Sequence, residues 1–156
     1  MPDNTLSFED FLAGVDPRYR DFVTALHDLL LRKGCKLKLA RATSGGYVVS
    51  YSDGIASKVL MNFVFRKSGL VARIYGDNVN AYEEFISALP PKAIKAIEKA
   101  TACRLCNPRC GKGYTFTLNG AHHQKCRYNC FMIAVDDDSA PYIEDFVARE
   151  LAARGT

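Results

Sequence analysis

The chain has 156 residues, 48% of them apolar and 24% charged, with a formal net charge of +4. These values suit one globular domain over 1–156 with a core of its own, and exclude a low-complexity or fibrous chain. No apolar run approaches the roughly 20 residues that cross a bilayer, and the polar, acidic stretch 1–10 lacks the basic and apolar parts of a secretory signal, so the expectation is a soluble cytoplasmic protein.

Charge is unevenly spread. Nine basic residues and one acid, Asp53, lie between Arg32 and Tyr75, and eight basic residues and one acid, Glu98, between Lys92 and Tyr128. Acids gather in 3–28 and 136–150. A basic middle fits an anionic partner. It fits equally well a basic sheet neutralised by acidic terminal helices.

Ser7, with Asp10 three residues on, reads as a capping box opening a short helix over 8–13. Asp16-Pro17 is an N-cap followed by proline at the first helical position, predicting a helix to about 33 that stops at Gly34. Its apolar stripe is Phe22, Val23, Leu26, Leu29 and Leu30, and His27 at the border reads as packing. Strands follow. Residues 36–41 alternate Lys and Leu, and 46–52 carry Tyr47, Val48, Val49 and Tyr51. Residues 58–67 and 70–76 flank Ser68-Gly69, read as a hairpin turn that sets Phe65 opposite Ala72 and Phe63 opposite Ile74. Met61, Phe63, Phe65, Leu70, Ala72 and Ile74 then share an apolar face, with Arg66, Arg73 and Tyr75 on the other.

Two helices are predicted next, over about 80–88 and 91–100, the second turning Ala93, Ile94 and Ile97 inward and Lys92, Lys95 and Lys99 outward. A last helix begins after Asp138, with Pro141 in its first turn and Tyr142, Ile143, Phe146, Val147 and Leu151 buried. Grouped strands with helices around them predict an α+β fold. Its antiparallel sheet carries helices mainly on one face, and a cysteine-rich hairpin lies over 103–131.

Five of the six cysteines, Cys103, Cys106, Cys110, Cys126 and Cys130, are clustered. In a reducing compartment such thiols are metal ligands or redox groups more often than disulfides. Asn119-Gly120 between β-prone residues is a strong hairpin signal. Counting outward pairs Leu118 with Ala121, Phe116 with His123 and Gly113 with Cys126, and lets Cys130 continue the same strand. Two Cys-x3-Cys pairs, Cys106/Cys110 and Cys126/Cys130, thus reach the open end of the hairpin. If Asn107-Pro108 opens a turn of helix, the backbone N–H groups there favour the thiolate form of Cys110.

Four thiolates at about 2.3 Å fill a zinc tetrahedron and leave no open position, which describes a structural site rather than a catalytic one. Cys103, three residues before Cys106, is an alternative ligand. A regular strand leaves His122 roughly 13 Å from Cys126, outside the coordination shell. Cys35 reads as a small buried hydrophobe. Redox-active thiols, an iron–sulfur cluster and disulfides remain alternatives. Arg104, Arg109, Lys125 and Arg127 supply positive charge that stabilises a lone thiolate or offsets the negative charge of a four-thiolate zinc centre.

The stretches Asn62-Phe-Val-Phe-Arg-Lys67, Arg73-Ile-Tyr-Gly-Asp77, Cys106-Asn-Pro-Arg-Cys110 and Lys125-Cys-Arg-Tyr-Asn-Cys-Phe131 resemble those of an uncharacterised family of small bacterial proteins with a C-terminal cysteine cluster. The resemblance covers most of the chain. It implies Cys106, Cys110, Cys126 and Cys130 as the ligand set, with the Cys103 position looser, and it implies no activity.

The expected role is a binding module for an anionic ligand or nucleic acid, using Lys36, Lys38, Arg66, Arg73 and Tyr75 with Tyr47 or Tyr51 nearby. A solvated strand face with outstretched lysines is the plainer reading of the same residues. The alternative function is a thiol-based redox sensor or oxidoreductase. No catalytic residue is assigned. Gly-x-Ser-x-Gly, His-Glu-x-x-His, phosphate-loop and dinucleotide-binding motifs are missing from the sequence.

Overall fold

The computed structural model describes residues 6–42, 46–105, 113–126 and 130–155. Ser7 and Asp10 form the reciprocal capping box, and α1 spans Phe8–Ala13. Asp16 accepts from the Arg18 N–H, but the chain first makes a 3-10 turn over Pro17–Tyr19, and α2 runs Arg20–Arg32. The backbone leaves it through Gly34 at φ +86°, a conformation that glycine tolerates best. Strands β1 (Lys36–Arg41), β2 (Tyr47–Ser52), β3 (Val59–Arg66) and β4 (Gly69–Ile74) are the expected four. A 3-10 turn over Val79–Tyr82 leads into α3 (Glu83–Ser87), and Pro91 starts α4 (Pro91–Glu98). The hairpin β5 (Tyr114–Leu118) and β6 (Ala121–Lys125), then β7 (Phe131–Ala134) and α5 (Ala140–Ala153), complete the described elements.

The main sheet is antiparallel in the order β1-β2-β3-β4-β7, and β5-β6 forms a second, two-stranded sheet. The fold is α+β, with α1, α2 and α5 packed on one face of the sheet. That face carries Val49, Tyr51, Phe63, Ala72, Ile74 and Phe131, none more than trivially exposed. Phe11 and Phe22 pack on Phe63 from α1 and α2, and Phe146 of α5 meets Phe131 at 5.8 Å. Tyr114 and Phe116 of β5 reach the same Phe131 ring edge-on. A bulge between Tyr51 and Ser52 turns Leu60 and Met61 both into the core.

Two details differ from the sequence expectation. The β3–β4 turn is Lys67-Ser68, with Arg66 opposite Gly69 and Phe65 opposite Leu70. Gly69, at φ +122°, closes the turn instead of occupying its centre. The register is displaced by two residues, one side-chain period, so every residue keeps its expected face. The second difference is Cys130. It does not extend β6. The chain crosses to the main sheet, where Phe131 pairs with Ile74 and Ile133 with Ala72. Phe131 and Ile133 are buried there while Met132 and Ala134 are exposed, so the apolar alternation selects the larger core.

The C-terminal helix is held by a buried polar network. Glu150 is fully buried and accepts from Tyr82 Oη, Asn78 N, Asn78 Nδ2 and Arg154 Nε. Arg154 also donates to Asp53 Oδ2 at 3.0 Å and to the carbonyls of Lys58, Val59 and Tyr75. Burial opposes the charge on Asp53, but the Ala56 N–H, Arg154 and the Ile55 N–H outweigh it and hold the carboxyl below its ordinary value. Glu150→Ala leaves the Arg154 guanidinium short of a partner, and we expect a loss of about 3–5 kcal/mol in urea unfolding. The lowered Asp53 value makes its stabilising contribution complete above the ordinary carboxylate range. Stability should therefore fall as pH drops from about 5 towards 2, and less steeply in Asp53→Asn.

Candidate functional site

The second hairpin has the register its turn demands. Leu118 pairs with Ala121, Phe116 with His123 and Tyr114 with Lys125. Asn119 and Gly120 both take positive φ, +50° and +82°, as a two-residue hairpin turn requires. His122 and His123 lie within β6, and His123 stacks on Phe116 at 5.3 Å. On the other side of β6 the segment leaving α4 adds a short antiparallel bridge. Ala102 pairs with Lys125, the Cys103 N–H donates to Gln124 O at 3.0 Å, and the Cys126 N–H donates to Thr101 O at 2.8 Å. Cys103 and Cys126 are therefore diagonal neighbours on one face of this ladder, a relation that sets backbones about 7–8 Å apart.

Gly113 sits at the same end. A Cβ on it would lie 2.1 Å from the Lys125 carbonyl oxygen and 3.2 Å from Cys103 Cβ, and its φ is +76°. Lys125 is buried, donating to Glu98 O at 2.8 Å and Ala100 O at 2.9 Å, so β6 is fastened to the last turn of α4. Burial presses its ammonium below the ordinary value, with Glu98 acting the other way.

Cys130 continues the β4–β7 ladder to a place beside Tyr75. Burial raises its thiol above the ordinary value; Arg73, the Tyr75 hydroxyl and Arg66 pull against that shift without cancelling it. Tyr114 is linked to both later cysteines. Its hydroxyl is pushed up by burial first, then by Asp77, Glu150, Cys126 and Cys130. Cys103, Cys126 and Cys130 are all free thiols. Among the described residues no three His, Cys, Asp or Glu side chains converge closely enough to hold a metal ion. Cys106 and Cys110, half of the expected ligand set, lie outside the described residues, as does the expected helix start at Asn107-Pro108. Cys35 is buried, its thiol raised by burial, in keeping with a packing role.

The expected ligand-binding residues share the outer face of the main sheet but do not converge. Lys38, Ser50, Asn62 and Arg73 form one cross-strand row, which leaves Lys38 and Arg73 three strand spacings, about 14 Å, apart. Lys36 is exposed on the edge strand and donates to Ser57 Oγ at 3.0 Å. Arg66 stands exposed at the β3–β4 turn, and Arg73 is half-buried, its Nε bonded to Asn62 Oδ1. Tyr75 is half-buried beside Cys130. Tyr51 takes no part in this face, because it is buried on the helix side and shares a 2.8 Å hydrogen bond with His27 Nδ1. Tyr47 has the same inward parity and packs against the core, with Arg41 over its ring.

No protein-family model, curated protein or solved structure matches the chain. The functional reading therefore rests on its own residues. No helix among the described residues is long and apolar enough to cross a membrane.

In the sequence Lys92, Lys95 and Lys99 read only as outward lysines. The structure sets their helix face against the exposed edge of β7, where they line a groove with Met132 and Tyr142. The signal available in the sequence was the i, i+3, i+7 spacing of the three lysines.

Gly113→Ala should destabilise the fold by well over 1 kcal/mol, because it meets a backbone oxygen and also forces alanine to positive φ. Gly120→Ala has open space around its Cβ position and differs only in φ. It should cost about 1–2 kcal/mol. Thermal or urea unfolding of the two variants side by side measures the difference.

Proposed function

We propose that the protein is a binding module for an anionic ligand or nucleic acid, whose cysteine segment is held by one structural zinc ion. One observation carries the binding part. The strands of the five-stranded sheet contain five cations, Lys36, Lys38, Arg41, Arg66 and Arg73, and no acid. Four of these lie on the face away from α1, α2 and α5. A surface that collects positive charge raises the local concentration of anions and speeds their encounter. The buried acids Asp53 and Glu150 are spent on Arg154, so they do not neutralise this face.

The zinc part is supported by the donor chemistry. Cys126 and Cys130 flank the 127–129 segment, and both act on the Tyr114 hydroxyl. Cys103 adjoins the Gly113 end of the hairpin, and Cys106 and Cys110 fall in sequence between Leu105 and Gly113. Cys106, Cys110, Cys126 and Cys130 supply four soft donors, with Cys103 in reserve. Such a centre crosslinks two segments and activates nothing. The neighbouring Arg73 and Arg66 offset its negative charge.

Elemental analysis of protein purified without added metal should find about one zinc per chain. Cys126→Ser should lose both the metal and several kcal/mol of stability, while Cys35→Ser keeps the metal. An apoprotein with every thiol titratable, one of them alkylating much faster than free cysteine, would replace this reading with thiol redox chemistry. For the binding part, a labelled mixed-sequence oligonucleotide should bind at low salt with Kd near or below about 10⁻⁵ M and weaken steeply as salt rises. If neither it nor inorganic polyphosphate binds, the module reading fails.

A further inference from the structure

The observations on the outer face lead to one location. α4 lies along the free edge of β7, and between them runs a groove of about 240 Å³ lined by Lys92, Lys95, Ala96, Lys99, Met132 and Tyr142. Its floor is apolar. Met132 is 45% exposed, an unusual setting for a large apolar side chain on a strand. Its rim is cationic. Lys92, Lys95 and Lys99 are exposed along one side of α4 while Ala93 and Ile97 on the other side are in the core. Only Lys92 is paired, with Asp136 at 3.2 Å. Among the described residues, the ammonium groups of Lys95 and Lys99 make no ion pair or hydrogen bond. The groove also meets the basic sheet face, because Met132 pairs across the ladder with Arg73.

The arrangement of the lysines discriminates between anions. A site for a single phosphate needs donors aimed at one point, commonly backbone N–H groups at a helix start. Here the three ammonium groups are spread over about 10 Å of helix axis. They are long, separate and solvated. Such a row suits an anion with repeated charges. The apolar floor beside the row adds a second requirement, since a bare polyphosphate has nothing to place on Met132 and the Tyr142 ring. A duplex keeps its base faces stacked inside. A single strand offers regularly spaced phosphates together with unpaired base faces, and bases stack on aromatic and apolar side chains whatever their identity.

We propose that the groove between α4 and β7 is a binding track for single-stranded nucleic acid, with Lys95 and Lys99 contacting phosphates and Met132 and Tyr142 taking base faces. The inference rests on the module reading above and names its ligand and its place. The track continues from Met132 to Arg73. Recognition of this kind is sequence-tolerant and strongly salt-dependent.

The test uses the full chain as purified. Fluorescence anisotropy measures its affinity for a fluorescein-labelled mixed-sequence oligonucleotide about ten nucleotides long, a length within the range of single-strand binding sites. The same measurement is made with the corresponding duplex and with inorganic polyphosphate as competitor, over a series of salt concentrations. The double variant Lys95→Glu/Lys99→Glu should lose at least about tenfold in affinity and flatten the log–log salt slope by about 2. Both residues are exposed, and an unchanged unfolding midpoint verifies that the fold is intact. Met132→Ala should weaken the oligonucleotide several-fold and leave competition by polyphosphate unchanged. Lys33→Glu, exposed at the end of α2 and apart from both the groove and the cationic sheet face, should have little effect.

If the Lys95/Lys99 variant binds the oligonucleotide as wild type does, while Lys38→Glu or Arg66→Glu abolishes binding, the groove inference is overturned and the module reading survives. If duplex binds as tightly as single strand, or Met132→Ala changes nothing, the site is a plain charge patch and the single-strand assignment is wrong. If no polyanion binds at low salt, both readings fall together.

Discussion

Arg154 reaches from the end of α5 into the sheet, and its guanidinium touches four parts of the chain that are far apart in sequence. It bonds Glu150 on its own helix, Asp53 after β2, the carbonyls of Lys58 and Val59 at the start of β3, and the carbonyl of Tyr75 after β4. Such a group is costly to bury unless each donor finds an acceptor. Here the burial is matched by two carboxylates and three carbonyls, and among the described residues no buried side-chain polar atom lacks a partner. Guanidinium burial and carboxylate pairing pull its ionisation in opposite directions, and the pairing with Glu150 and Asp53 prevails, so it stays charged. The network fastens the C-terminal end of α5 to the sheet, while Ile143, Phe146, Val147 and Leu151 bury its apolar side. α5 in turn presents Phe146 to Phe131, and that contact helps seat β7 as the last strand of the sheet.

The position of β7 has consequences for function. With β7 in the main sheet, Cys130 stands beside Tyr75 and Arg73 instead of prolonging the hairpin. The cysteine segment therefore joins two sheets. One end is anchored at β6 by Lys125, whose ammonium closes the last carbonyls of α4. The other end is anchored by the β4–β7 ladder. A metal ion holding thiols from both would brace the hairpin against the sheet, which explains in physical terms why a small domain would gain from one even with a sufficient apolar core. At its other end α4 is tied to the segment after β7 by the Lys92–Asp136 pair, beside the lysine-rimmed groove.

The charge pattern along the chain has a structural outcome that composition alone could not reveal. Acidic ends and a basic middle suggested mutual neutralisation. Part of this is realised, since Glu150 and Asp53 neutralise Arg154 in the interior and Asp136 pairs with Lys92 at the surface. The neutralising contacts fall on the helix side and at the helix ends. The strands of the main sheet keep their cations without an acid among them, and Lys95 and Lys99 remain unpaired within the described residues. Four of the five strand cations therefore share the outer face of the main sheet with no strand acid beside them, an arrangement that can attract a polyanion.

Local chemistry is what the sequence by itself determined. The Ser7/Asp10 capping box, the Pro91 helix start and the Asn119-Gly120 turn act over two to four residues, and each was legible because the residues that set the geometry are adjacent. The alternating faces of β3 and β4 were also legible, and survived a register error of one full period because the faces depend only on parity. Tertiary structure alone decided what depends on competition between distant surfaces. Residues 131–134 could extend a hairpin or join the large sheet, and only the packing of Phe131 under Tyr114, Phe116 and Phe146 chooses. Glu150 and Arg154 stand four residues apart at the end of α5, and their burial follows from where the helix end meets Asp53. The groove between α4 and β7 joins segments far apart in sequence, brought together by the burial of Ala93 and Ile97 and by the Lys92–Asp136 pair. Periodicity and turn chemistry are local and additive, whereas burial is shared among elements that meet only in the folded chain.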